Sequence, residues 1–275
     1  WHTFEPEGDA GDFLPCSEYV DKALEWAGKH GISVLLDLAT VPGGQGDSNG
    51  SATTPETTAD WHASTRGRAI ALHVLDRLAS RYGSNPALFG IELLDTPLMR
   101  VRRGISVTDG IPAHYLRNFY REAYNHVRSH MGDDKAVVFS SSGYPGAWRH
   151  FMRHGRYKNV WMDVHLYHYR GETAQDISTP DGLSRALARN KRVLREALST
   201  GFKVMVGEWS AAAVLPDSMM TPEGRIAYER VFVSNQLASF EKTDGWFFQT
   251  WKTEKRLPAW DARASLSSFE RGMMG

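Results

Sequence analysis

Three short stretches carry side chains that could do chemistry. In Val206-Gly207-Glu208-Trp209-Ser210 a carboxylate closes an apolar run and stands beside a tryptophan. A retaining glycosidase uses a carboxylate so placed to attack the anomeric carbon, with the neighbouring ring shaping the sugar subsite. The same Glu208 would also fit an ion pair with a nearby Arg or Lys, and the pattern alone leaves both readings open. In Asp163-Val164-His165-Leu166-Tyr167, strand alternation puts residues 163, 165 and 167 on one face. A His and a Tyr two apart can hydrogen-bond a nucleophilic carboxylate and a sugar hydroxyl, whereas a lone His in a strand is more often a satisfied core residue. In Gly245-Trp246-Phe247-Phe248-Gln249-Thr250-Trp251-Lys252-Thr253-Glu254, Trp251 stands just beyond an apolar run. There it would floor a sugar subsite or simply pack. His165 and His168 fall on opposite faces of an extended strand, and no Cys or His cluster has ligand spacing, so no metal is expected.

The elements that must position these residues alternate along the chain. The pattern predicts helices over residues 17–30, 68–82, 113–130, 181–200, 222–242 and 266–273. Between them it predicts strands over 32–38, 88–94, 136–140, 160–167, 202–206 and 245–250. Gly31 and Gly83 read as helix stops, and Pro222 opens a helix at its first turn. Continuous apolar strands separated by helices imply an α/β fold with a helix-covered parallel sheet. Asp95-Thr96, His165 with Tyr167, Glu208-Trp209 and Trp251-Lys252 gather at carboxyl ends of strands, where such folds build sites. No Gly-rich phosphate loop follows any strand, so no nucleotide cofactor is expected and a barrel is favoured over a dinucleotide-binding sheet. The polar stretch from Val41 to Trp61 and the insert from Arg100 to Pro112 read as loops, the latter with Arg100, Arg102 and Arg103 solvated. With no linker or internal repeat, residues 1–275 read as one domain.

Composition narrows the partners. The 32 basic and 32 acidic residues cancel, which gives no electrostatic reason to expect nucleic acid. No apolar run approaches the ~20 residues that span a bilayer. Nine Trp and ten Tyr suit sugars, whose faces stack on flat rings, although most aromatics serve cores. Cys16 is the single cysteine, so no disulfide forms within the chain. Trp1-His2-Thr3-Phe4 is neither an initiator Met nor a signal peptide, and reads as an internal cut, an incomplete sequence or a processed product.

Several motifs in order resemble one family. Ile91-Glu92-Leu93-Leu94-Asp95-Thr96-Pro97-Leu98 resembles a segment that reads I-E-L-L-N-E-P-L in the exo-β-1,3-glucanase branch of glycoside hydrolase family 5. Gly207-Glu208-Trp209-Ser210-Ala211-Ala212 and Gly245-Trp246 through Trp251-Lys252-Thr253-Glu254 are similar to the same proteins. So are Leu36-Asp37-Leu38-Ala39 through Pro42-Gly43-Gly44-Gln45, Tyr19 to Trp26, and Arg81-Tyr82-Gly83. The resemblance implies a (β/α)8 TIM barrel of which this chain carries strands three to eight. The first two strands would then lie in a missing N-terminal segment or come from a partner chain. It also implies an extracellular or cell-wall location, with which the sequon Asn49-Gly50-Ser51 agrees, and a β-glucan or related carbohydrate as ligand.

Carried over residue by residue, the nucleophile falls on Glu208, the sugar-site His and Tyr on His165 and Tyr167, and the final-strand Trp on Trp251. The acid/base Glu falls on Thr96 and the Asn before it on Asp95. A His after the third strand falls on Ala39, and a Trp two before Trp251 is Gln249. Retaining hydrolysis needs two carboxyl groups about 5–5.5 Å apart. A threonine hydroxyl is too weak an acid to protonate a leaving alkoxide, and general acid–base help is worth about 10²–10⁴-fold. The expectation is a pseudo-glycosidase that keeps part of a glucan cleft. Two alternatives stand beside it: an active retaining glucosidase or transglycosylase with Asp95 as substitute acid, and a structural component of an extracellular assembly.

Overall fold

Apolar runs become strands and amphipathic runs become the helices between them. The computed structural model describes residues 17–44, 60–153, 155–168, 179–213, 221–255 and 257–270. Cys16, the Asn49 sequon and most of the Val41–Trp61 stretch lie outside the described residues. The chain falls into two units, one of residues up to Ser142 with His150–Trp161, the other of Gly143–Arg149 with Met162 onward.

In the first unit, α1 (Ser17–Lys29), β1 (Val34–Asp37), α2 (Thr65–Tyr82), β2 (Leu88–Glu92), α3 (Ala113–Arg128) and β5 (Ala136–Ser140) alternate as the sequence predicts. A two-stranded antiparallel hairpin, β3 (Arg102–Arg103) with β4 (Ser106–Val107), occupies the insert that the sequence reads as a loop. β1 runs parallel to β2, with Leu36 opposite Ile91, and β2 runs parallel to β5, with Glu92 opposite Val138. Gly90 permits the second pairing, since a Cβ there would stand 2.3 Å from the Ala136 carbonyl oxygen. Gly31 ends α1 at a φ of 66°, which an L side chain resists. Ser64 caps α2, its Oγ accepting the Gly67 amide at 2.9 Å.

The Arg81-Tyr82 pair of the family motif ties α2 to α1. The Arg81 guanidinium grips both oxygens of Asp21 at 3.0 and 2.5 Å, and the Tyr82 hydroxyl donates to the same carboxylate at 2.8 Å. Arg81 holds the Asp21 carboxyl below its usual range, while burial, reinforced by Asp21, pushes the Tyr82 phenol up to about 12. Under α2 and α3, Trp61 is wholly buried edge-on to Tyr115 and Phe119, with ring centroids 5.4 and 4.6 Å away.

In the second unit, β6 (Val160–His168, from Met162 on), α4 (Pro180–Ser199), β7 (Lys203–Ala213), α5 (Pro222–Phe240), β8 (Gly245–Phe248) and α6 (Ala262–Glu270) follow the same alternation. β7 continues seven residues past the predicted end at Val206, and β8 stops two short of Thr250. Strands β6, β7 and β8 lie in that order, with β7 parallel to β8. Thr179 caps α4 by accepting the Gly182 amide at 3.0 Å. Among the described residues β1 pairs only with β2, and β8 only with β7, so each has one unpaired edge. Among them too, no helix is long and apolar enough to cross a membrane.

His168 is buried where β6 meets α4 and α5. Its Nε2 accepts from Asn190 Nδ2 at 2.6 Å, Phe232 packs edge-on at 5.1 Å, and Nδ1 has no partner among the described residues. Burial, with Arg189 nearby, pushes its pKa down to about 4. The unfolded chain takes this proton near pH 6.5 and the folded chain only near 4, so stability is lost as the pH falls between the two. Chemical denaturation is expected to show a loss of about 2 kcal/mol between pH 7 and 5 from this group. His168→Gln, which keeps a side chain able to pair with Asn190 and does not titrate, should remove most of that loss.

Candidate active site

The site in the second unit is assembled by two neighbouring strands. On β6, alternation turns Asp163, His165 and Tyr167 to one face. On β7, the pairing with β8 advances three residues from Val206 to Trp209 while β8 advances two, from Trp246 to Phe248. The extra residue is a bulge at Gly207–Glu208, the kind of irregularity that re-aims a side chain. Glu208 there meets the β6 face. The Tyr167 hydroxyl donates to Glu208 Oε2 at 2.8 Å, and His165 Nδ1 stands 3.4 Å from the same oxygen. Among the described residues no hydrogen bond or ion pair reaches Oε1. The Glu208 side chain is one-third exposed.

Behind this pair lies Asp163, whose side chain is 0% exposed. Its Oδ1 accepts the Gly207 amide at 2.6 Å, and its Oδ2 stands 2.6 Å from His165 Nε2. A Cβ on residue 207 would sit 2.2 Å from Asp163 Oδ1, so only glycine lets the two strands meet there. Sequence reasoning set Asp163 on the right face but gave it no role; its spacing of two from His165 was the available signal. Trp260 was missed altogether. It ends a short 3-10 turn, Pro258–Trp260, beyond β8 and lies 5.9 Å from the Tyr167 ring at a tilt of 38°. The backbone pairs that hold it, Thr250 N–H to Trp260 O and Ala262 N–H to Thr250 O, both 2.9 Å, leave no trace in residue spacing.

Two tryptophans part company. Trp209 departs from the expectation of a sugar-binding ring: it is 0% exposed and packs edge-on among Phe240, Trp246 and Phe248, at 5.2, 5.4 and 4.9 Å. The bulge that turns Glu208 outward sends its neighbour into the core. Trp251 is 68% exposed. Gln249 is exposed as well.

In the first unit, Asp95 and Thr96 follow β2. The Thr96 hydroxyl donates to Asp95 Oδ1 at 2.5 Å, and the Asp95 amide donates to Leu38 O at 3.2 Å. Thr96 holds a φ of 24°, a left-handed value that costs a β-branched residue about 1–3 kcal/mol. Ala39 is exposed. Among the described residues no group of three His, Cys, Asp or Glu side chains is placed to hold a metal ion.

No family model matches the chain. It is 27% identical to the glucan 1,3-beta-glucosidase of Schwanniomyces occidentalis over 91% of this chain and 63% of the relative. It is 26% identical to a probable glucan 1,3-beta-glucosidase A of Aspergillus terreus, over 91% of this chain and 64% of that one. The chain thus spans less than two thirds of these relatives. Among solved structures it matches AoRut over 98% of this chain and 74% of that one, with a TM-score of 0.71 at 16% identity. It matches the endoglucanase Cel5A of Thermotoga maritima over 93% of this chain and 75% of that one, with a TM-score of 0.61 at 15% identity. The fold is an α/β, partial (β/α) barrel. The chain is related to the glucan 1,3-beta-glucosidases and is similar to the exo-β-1,3-glucanase-like branch of glycoside hydrolase family 5.

Two substitutions test the tryptophan assignment. Trp209→Ala is expected to cost about 3–5 kcal/mol in denaturant titration. Trp251→Ala should stay within about 0.5 kcal/mol of the parent. Gly207→Ala is expected to cost about 1–3 kcal/mol by displacing Asp163, read in the same titration.

Proposed function

We propose that this protein is a pseudo-glycosidase: a barrel that keeps the nucleophile half of a retaining site and binds β-glucan or a related carbohydrate, but hydrolyses it poorly or not at all. The observation that carries the reading is the contrast between two positions. Glu208 is one-third exposed and holds one oxygen against the Tyr167 hydroxyl and the His165 ring. The acid/base position holds Thr96, whose hydroxyl is spent on Asp95. A carboxylate nucleophile without an acid can expel only a leaving group that needs no proton.

The wider reading follows from the relatives. Residues 1–275 form a single barrel domain comprising strands three to eight. Further strands, from the same polypeptide or from a partner chain, complete the unpaired edges of β1 and β8. The protein acts outside the cell or at the cell wall. A second reading, an active glucosidase or transglycosylase with Asp95 as acid, draws on the placement of a carboxylate beside Thr96.

The experiment measures glucose released from soluble β-1,3-glucan by the full polypeptide, with Glu208→Ala as control. No release is expected, with oligosaccharide binding near micromolar. A dinitrophenyl β-glucoside, whose leaving group needs no acid, should leave a glucosyl adduct on Glu208 detectable by intact mass. Thr96→Glu should raise turnover on the order of 10²-fold. Brisk Glu208-dependent release by the unaltered protein would overturn the proposal, and loss of that release in Asp95→Asn would establish the second reading.

A further inference from the structure

The segment from Thr250 to Ala262 is a loop closed on itself. At its neck the Thr250 amide donates to Trp260 O and the Ala262 amide donates to Thr250 O, both at 2.9 Å. Inside it, the Thr253 amide donates to Asp261 Oδ2 at 3.3 Å, and the Leu257 amide donates to Thr253 Oγ1 at 2.7 Å. Asp261 Oδ1 accepts the Ala264 amide at 3.3 Å, so the same side chain caps the start of α6. The Asp261 side chain is 5% exposed. A carboxylate so enclosed needs hydrogen-bond donors, and here they come from two segments of chain. Trp251 and Lys252 lie between two held residues, Thr250 and Thr253. An indole that is 68% exposed is not fixed by packing, so its place is set by the backbone on either side.

We infer that Asp261 is a positioning residue: by joining the cap of α6 to the Thr253 amide, it holds Trp251 as a fixed platform for a pyranose face of a glucan. The inference deepens the reading of this protein as a glucan binder and rests on that reading for the ligand. The holding of Trp251 does not. Asp261 touches no sugar in this scheme and acts only through the loop. A flat ring offers a sugar its apolar face, and a ring already ordered binds without first losing its own freedom. The same clip carries Trp260, whose ring lies 5.9 Å from that of Tyr167, and the Tyr167 hydroxyl donates to Glu208. The loop that holds the platform is therefore built against the residues that hold the carboxylate.

Asp261→Ser tests this, because a serine still caps a helix while its single oxygen cannot also serve Thr253. Hydrogen exchange of the full polypeptide, read without any sugar, should quicken about tenfold at the Thr253 amide, while α6 keeps its protection. Fluorine-19 NMR of the 5-fluorotryptophan-labelled polypeptide reports the ring itself, the Trp251 signal being assigned by its loss in Trp251→Phe. That signal should have the broad line of an ordered ring in the unaltered protein and narrow toward that of a free ring in Asp261→Ser. A helix cap alone would not move it. Affinity for a β-1,3-linked gluco-oligosaccharide should fall about fivefold to tenfold in Asp261→Ser, and not at all when the same change is made on a Trp251→Ala background. The unaltered protein keeps the test alive if Asp261→Ser fails to fold: an unprotected Thr253 amide or a freely turning Trp251 there would overturn the inference. So would an unchanged Trp251 line in a folded Asp261→Ser, or an equal loss of affinity on the Trp251→Ala background. If no oligosaccharide binds, the functional proposal fails, while exchange and line width still decide whether Asp261 holds Trp251.

Discussion

The Gly207 amide reaches the enclosed Asp163 carboxylate at 2.6 Å, across a gap in which a methyl group would stand 2.2 Å from the same oxygen. The site in the second unit depends on this contact. It draws β7 against β6 at the residue before Glu208, and it coincides with the bulge that shifts β7 against β8. A side chain at position 207 would force the carboxylate aside, and His165 would lose the partner of its Nε2. His165 and Tyr167 could then no longer converge on one oxygen of Glu208. One missing Cβ therefore governs four functional groups on two strands.

Much of the frame was legible because it rests on periodicity. The apolar runs over residues 88–94 and 136–140 are strands because they are continuous and bounded by helix stops, and Gly31 ends α1 where its φ demands it. The shared face of residues 163, 165 and 167 follows from alternation alone. What alternation misses is any departure from it. β7 was predicted to end at Val206, and nothing in its composition announces the extra residue at Gly207–Glu208. The error in Trp209 has the same origin: a tryptophan beside a nucleophile suggests a sugar platform, yet the residue after a bulge faces inward. Trp260 was invisible for a different reason, since a long loop and a 3-10 turn bring it to Tyr167. The hairpin at Arg102–Val107 was read as a loop because two-residue strands fall below what any pattern resolves.

The kept and altered positions differ in what supports them. Glu208, His165 and Tyr167 are held by strands and by each other. Thr96 is held in a left-handed conformation just after β2, with its hydroxyl turned to the adjacent Asp95. A loop residue at the end of a strand can change its side chain with little effect on packing. A residue inside a bulge backed by a buried carboxylate cannot.

That difference bears on how the chain's history should be read. Trp209 lies in a ring cluster with Phe240, Trp246 and Phe248, so natural selection for folding alone would preserve it, and with it the backbone on which Glu208 stands. In a lineage that had given up hydrolysis, this dipeptide would decay last. Its presence in a descendant is therefore poor testimony for catalysis, and the position occupied by Thr96, which the core does not guard, is the more informative one.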